Sequence, residues 1–414
     1  MSTSASDRAG AERRHTAPGN GDSDGTSPVH HETRDIRRQR QPDEFTAMEE
    51  LSSEIIDGSV RALAEITPLA AARADGHEAD LTAELEALRR HGCLAAPMRP
   101  EGSGFAYAYP AARSLPFFVA LGSADLSLGR LFEGHANALQ LVSLFGRADQ
   151  KAMVRARVEH GALLGVWGAD GSPPFAVEPI EGDRLRLTGA KRYASGLGWV
   201  SLALVPVTEA DGRLQLLLID VDEPSRLDFS SWNMRGMRAS RSGTFRFDGM
   251  EISVSARLGG PDDYRREPFF MGGIWRCAAV QLGAVERIVR GLADGLRETG
   301  RLDHPLQSAR VGEAILAARD ARLQVEAAAR AVEGGEEAEL AASLAVFARL
   351  RVESAGLAVI PLAERGLGLS AFAEDHPLAR SIRDLSTYLR QANPDAALLD
   401  HARRLAARLP EIFR

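Results

Sequence analysis

Cysteine is nearly absent, with two residues, Cys93 and Cys277, in a chain of 414. They stand far apart in segments that read as helical and apolar, which argues against a disulfide and for small buried thiols in a reducing compartment, so the cytoplasm is the expected location. No run of 18 or more apolar residues occurs, and the N-terminus carries no hydrophobic segment, so neither a membrane-spanning helix nor a signal peptide is expected. A basic excess is missing too. Fifty Lys+Arg stand against 57 Asp+Glu, a net charge of −7, which leaves nucleic acid and membrane surfaces without an electrostatic reason to bind. No metal-ligand pattern stands out in the body of the chain.

What is present is enough apolar material, 44% of the residues, to bury large cores in two or three structural units. Residues 1–45 are the exception. They are rich in Ser, Gly, Asp, Thr and Arg, bury too little to offset the entropy of ordering, and read as a disordered tail. Within them His30, His31 and the run Arg34 to Arg40 suggest a docking tail or a metal site, but the composition favours a solvated segment.

Residues 46–160 take a helical pattern. Asp80 stands as a cap before Leu81, Leu85 and Leu88, which form one apolar face, and Gly92 ends that helix. Pro97 to Gly104 reads as a loop. His135 lies on a later helix, where a lone histidine is a packing or capping residue more often than a catalytic one. Residues 161–265 change period. Arg184 to Thr188 and Thr244 to Asp248 alternate polar and apolar, and Leu202–Val207 and Leu214–Ile219 are apolar runs joined through the turn signal Asp211-Gly212. Residues 266–414 return to long helical spans, near 271–296, 305–333, 337–363 and 377–391, with Gly334-Gly335 as a break and Asn393-Pro394 ending the last. The expected fold is α+β: an N-terminal α-helical domain, a central β-barrel-like domain and a C-terminal four-helix bundle.

Three groups of residues carry a family resemblance. Phe145-Gly146 is followed by Gln150-Lys151. Gly189, Lys191, Tyr193 and Ser195 form a G-x-K segment with an aromatic and a hydroxyl behind it. Phe372, Pro377, Arg383-Asp384, Leu385, Tyr388 and Leu389 form the third group. From about residue 80 onward the chain resembles the acyl-CoA dehydrogenase family, flavoenzymes that oxidise the Cα–Cβ bond of acyl thioesters.

The resemblance implies FAD as cofactor, an acyl thioester or other small-molecule substrate, an electron acceptor, and a homodimer or homotetramer with the flavin across a subunit boundary. Carried over residue by residue, it assigns Tyr193 to cover the flavin ring and Ser195 to approach its reactive edge. Trp167 and Asp170 stand at the flavin loop, where a plain strand end and tight turn is the competing reading. Arg297 and Arg301, ahead of Gln307, stand where the pyrophosphate is held, and Gly368 matches the first glycine of a Gly-Gly-x-Gly loop. Arg276 matches an active-site arginine. The family's glutamate base is absent, because Ala392 occupies its position and Trp275 occupies the second known one. A substitute must come from Asp395, Asp170, Glu133 or His135.

Three functions follow. Acyl thioester dehydrogenation is the leading one. Oxygenation by reduced flavin and dioxygen is a second, since a branch of this superfamily also lacks the glutamate, and a non-catalytic flavin- or acyl-binding protein is a third.

Overall fold

The computed structural model describes residues 42–73, 75–76, 79–391 and 393–412. The expected tail lies outside the described residues up to position 41, as does Ala392. Helix α1 (Pro42–Ala72) opens inside the stretch read as tail, and the compact unit runs from Glu49 to Arg414. Helix α2 (Thr82–Arg90) ends at Gly92, whose φ of 70° supplies the left-handed cap, and the Thr82 N–H donates to Asp80 Oδ1 at 2.6 Å.

The stretch read as a loop is instead a hairpin of β1 (Met98–Glu101) and β2 (Gly104–Tyr107). In the first strand only Met98 turns inward, so no alternation is visible in the sequence.

Helices α3 (Ala111–Ala124), α4 (Leu126–Phe145) and α5 (Ala148–Glu159) complete the N-terminal region. Asp125 separates the first two with an extended backbone and caps α4 by accepting the Leu128 N–H at 2.9 Å. Gln150 has a double role. Its side chain accepts the Arg147 N–H and donates to the Ser255 and Arg257 carbonyls, each at 3.0 Å, which fastens α5 to the β region.

The β region runs in chain order through β3 (Leu163–Val166), β4 (Ala176–Ile180), β5 (Arg184–Thr188), β6 (Ala190–Ala194), β7 (Val200–Thr208), β8 (Leu214–Asp220), β9 (Leu227–Asp228), β10 (Gly243–Arg246), β11 (Met250–Ser253) and β12 (Arg257–Leu258). They form sheets ordered β12-β8-β7-β3, β6-β10-β9 and β11-β5-β4, antiparallel except for the β3–β7 pair. Along β5, Leu185 and Leu187 point into the core while the residues between them face water. Asp211-Gly212 turns β7 into β8.

The C-terminal region is a bundle of α6 (Ile274–Glu298), α7 (Pro305–Gly334), α8 (Ala338–Leu367) and the shorter α9 (Ala379–Tyr388), followed by α10 (Pro394–Ala406). Alanines such as Ala278, Ala314, Ala321, Ala328, Ala345 and Ala355 fill its centre, and small side chains let the helices approach closely. The tightest approach joins the bundle to the N-terminal helices. Gly122 on α3 and Gly283 on α6 each face a backbone carbonyl of the other helix, Val280 and Val119, where any Cβ would overlap. Both cysteines are free and buried. Among the described residues, no helix is long and apolar enough to cross a membrane.

Candidate active site

Strand β6 carries the residues around which the site is built. Its side chains should alternate, yet Arg192 and Tyr193 both face outward, because Tyr193 adopts φ 54°. A left-handed conformation in a bulky residue costs on the order of 1–3 kcal/mol and persists only where its surroundings impose it. The ring is 45% exposed, lies under the Arg192 guanidinium at 4.9 Å and meets the Trp232 ring edge-on at 6.2 Å.

Next along the chain, Ser195 is buried and begins a line of hydroxyls. Its Oγ lies 2.8 Å from Ser242 Oγ, which lies 2.7 Å from Ser240 Oγ, which donates to the Met237 carbonyl at 2.7 Å. The Trp232 indole donates to that same carbonyl at 2.9 Å. The Met237 N–H in turn donates to Asp384 Oδ1 at 2.5 Å. The loop sits this close to α9 because residue 236 is glycine, and a Cβ there would run into the Arg383 carbonyl. Asp384 is buried, and its carboxyl is pushed up to about 7, first by burial and then by the nearby Asp125 and Asp75, against the Met237 N–H.

On the other side of β6, Lys191 points inward and is 2% exposed. Its ammonium donates to Asp170 Oδ1 at 2.6 Å and to the Gly168 carbonyl at 3.1 Å, while burial pulls its pKa below the usual lysine value against the pull of Asp170. Asp170 is thus held by a cation. Trp167 is in the core, 1% exposed, with its ring 5.5 Å from Phe245 and its indole N–H donating to the Ser195 carbonyl at 3.1 Å. It offers no ring face to a ligand, and its part is to hold the Ser195 backbone.

Beside Ser195 and Trp167 is a cavity of about 10 Å³, near the size of one water, which Arg130 also lines. Arg130 pairs with Glu133 at 2.7 Å, and Glu133 also accepts from Asn137 at 2.7 Å and from the Tyr388 hydroxyl at 3.3 Å. The network continues through Arg276, which is fully buried, donates to Asn137 and Gln140 at 2.9 and 3.1 Å, and pairs with Glu333 at 2.6 Å. Burial opposes the Arg276 cation, but Tyr107 and Glu333 outweigh it and hold the guanidinium above its usual pKa. Arg276 therefore sits in an ion pair that joins α4, α6 and α7.

The remaining sequence-derived candidates lie elsewhere. His135 is fully buried on α4, with Nδ1 accepting the Leu164 N–H at 3.0 Å and Nε2 donating to the Leu94 carbonyl at 2.9 Å; burial lowers its pKa to about 4. It is a neutral core histidine. Asp395 is exposed in the first turn of α10. Trp275 is buried under Phe118, with ring centroids 5.8 Å apart. Arg297 pairs with Asp294 at 2.5 Å and is largely exposed, and Arg301 donates to the Thr299 hydroxyl at 3.0 Å. Gly366 packs on Leu292 and Gln307, and Gly368 takes φ 74°.

Sequence reading missed Arg130, Trp232, Ser240 and Ser242. The i, i+3 spacing of Arg130 and Glu133 was a usable signal for the first, but nothing local marks the serines.

No protein-family model and no curated protein matches the chain. Solved structures do. The FMN-bound TdsC of Paenibacillus sp. A11-2, a dibenzothiophene monooxygenase, superposes with a TM-score of 0.72 at 18% identity over 85% of this chain and 96% of that one. Butyryl-CoA dehydrogenase of Megasphaera elsdenii gives 0.74 at 14% identity over 86% and 97%. This chain has the acyl-CoA dehydrogenase fold. Methanesulfinate monooxygenase MsuC of Pseudomonas fluorescens shares it, with a TM-score of 0.67 at 18% identity over 84% and 95%. The fold thus hosts both a dehydrogenase and monooxygenases.

Proposed function

We propose that this chain is a flavin-dependent oxidoreductase. The observation that carries the reading is Tyr193, an aromatic ring left nearly half exposed at a strained backbone position and set beside the buried hydroxyls of Ser195, Ser242 and Ser240. A flat apolar surface flanked by hydrogen-bonding groups suits a planar heteroaromatic cofactor. When bound, a flavin supplies two-electron acceptance, and reactivity with dioxygen once reduced. We assign Tyr193 to cover its ring and Ser195 to hydrogen-bond its edge, with Lys191 and Asp170 keeping β6 in place from behind. FAD rather than FMN is the reading carried over from the family resemblance, in which Arg297 and Arg301, ahead of Gln307 in the sequence, would hold a pyrophosphate. A homodimer or homotetramer is consistent with Ile315, Leu316, Leu323 and Leu357, which are exposed on the outer faces of α7 and α8.

One form of the reaction is oxidation of the Cα–Cβ bond of an acyl thioester, which needs a carboxylate free to take a proton. The candidates on this face are engaged: Asp170 by Lys191, and Glu133 by Arg130, Asn137 and Tyr388. That observation favours the second form, oxygenation of a small molecule, where no strong base is required. TdsC and MsuC bear names of that chemistry.

The test starts with flavin content. Purified protein that neither retains nor is stabilised by FAD or FMN refutes the reading. A ligand at about 100 times its dissociation constant should add about 2.7 kcal/mol, which a melting curve resolves. Loaded protein is then mixed anaerobically with acyl thioesters while flavin absorbance is followed. Bleaching establishes dehydrogenation. Transfer of label from ¹⁸O₂ into a small organic acceptor, after chemical reduction, establishes oxygenation. Flavin binding with neither outcome across both panels leaves a binding protein.

A further inference from the structure

Away from the site above, a groove of about 400 Å³ opens between α1, α3, α6 and α7. Its floor is apolar, built from Leu63, Pro116, Val119, Ala120 and Ala124, and its rim carries three arginines, Arg287, Arg290 and Arg322, against one glutamate, Glu286. That glutamate is already shared. It pairs with Arg322 at 2.7 Å and with Arg290 at 3.5 Å, and Arg322 also reaches Glu326 at 3.5 Å. The other polar groups on the rim are turned inward or matched, with Thr67 donating to the Leu63 carbonyl at 2.8 Å and the Ser123 hydroxyl accepting from Arg290 at 2.9 Å.

Arg287 is the residue without a match. Its guanidinium donates only to backbone carbonyls, Ser123 at 3.2 Å and Pro377 at 3.4 Å, and its buried Nε has no partner. The end of α3 offers it a partial negative charge through Ser123, but among the described residues no carboxylate lies in salt-bridge range. The carboxylate that acts on it through space is Asp125, which is bound to Arg73 and lies 3.9 Å from Arg380. Burial first, and then repulsion from Arg380 and Arg290, lowers the Arg287 pKa, so the cation is held at a cost that an added anion would relieve.

We propose that this groove is a second ligand site, which binds an amphipathic anion with its carboxylate or phosphate head between Arg287 and Arg290 and its short apolar body on Leu63, Pro116, Val119 and Ala120. The forked guanidinium suits either head, the volume is that of a small-molecule site, and the apolar floor separates this ligand from a bare inorganic ion. None of these residues belongs to the candidate active site.

The test is titration calorimetry on the full chain as purified, with hexanoate, hexyl phosphate, hexanol and inorganic phosphate. At least one of hexanoate and hexyl phosphate should bind, and which is tighter identifies the head. Hexanol and inorganic phosphate should each bind more weakly by about tenfold or more, since each lacks one half of the recognition. Arg290→Gln, at a side chain 57% exposed and therefore safe for folding, should weaken the better ligand about tenfold while flavin content and the unliganded melting temperature stay unchanged. Ala120→Phe should fill the floor and remove binding with all three arginines intact. The proposal is overturned if neither amphiphile binds, if hexanol equals hexanoate, if inorganic phosphate equals hexyl phosphate, or if Arg290→Gln leaves affinity unchanged.

Discussion

Replacing Asp384 by asparagine should make the protein more stable relative to wild type at pH 8 than at pH 5. The carboxyl is buried on α9, and its pKa rises from an ordinary 3.8 to about 7. A raised pKa in an acid means that the folded state resists ionisation. The favourable contribution is therefore complete below the unfolded value and is lost as pH climbs through the folded one. At about 1.4 kcal/mol per unit, the loss is roughly 2 kcal/mol at pH 5 and roughly 4 kcal/mol at pH 8. Asparagine keeps the carbonyl oxygen that accepts the Met237 N–H and has nothing to ionise. The variant-minus-wild-type difference should therefore grow by about 2–3 kcal/mol between pH 5 and pH 8, whatever its absolute sign. Urea unfolding followed by tryptophan fluorescence at unit pH steps, with flavin content matched, measures that difference directly, and every other titrating group cancels between the two proteins. A difference that stays flat, or that shrinks as pH rises, would show that Asp384 is ionised in the folded protein without penalty.

Tyr193→Ala should lower flavin affinity with little loss of stability, whereas Trp167→Ala should cost about 3–5 kcal/mol in unfolding experiments because its ring is core; equal effects of the two on flavin retention and melting would refute the division of roles. His135→Phe should cost about 2–4 kcal/mol at pH 7 by leaving the Leu94 carbonyl and the Leu164 N–H bare. Wild type should also lose up to about 3 kcal/mol as pH falls from 6.5 toward 4, because a depressed histidine pKa gives stability that is present above the unfolded value and lost below it. The phenylalanine variant should lack that slope, and an unchanged acid limb would count against the buried neutral imidazole.

Much of this molecule was legible one segment at a time. Helical period gave α6, α7 and α8, alternation gave β5, the Asp211-Gly212 signal gave the β7–β8 turn, and Arg383-Asp384 with Lys191, Tyr193 and Ser195 gave the fold. The first three signals are local, since periodicity and turn chemistry are set by neighbours in the chain, whereas the last is a family resemblance. The hairpin at 98–107 was missed because only Met98 of its first strand is buried. What the sequence could not decide is which charges meet. Asp170 reads as an available carboxylate until Lys191, 21 residues on, is seen to hold it, and Glu133 reads the same way until Tyr388 arrives from 255 residues away. Trp167 and Ser195 both stand as flavin candidates in the chain, Trp167 against the competing reading of a strand end, and folding turns Trp167 into the core and joins Ser195 to Ser242 and Ser240. The unmatched Arg287 appears only when α3 and α6 cross at Gly122 and Gly283 and bring Ser123 beneath it. Whether a side chain is buried, paired or free depends on contacts between distant segments, and those are decided by packing rather than by local pattern.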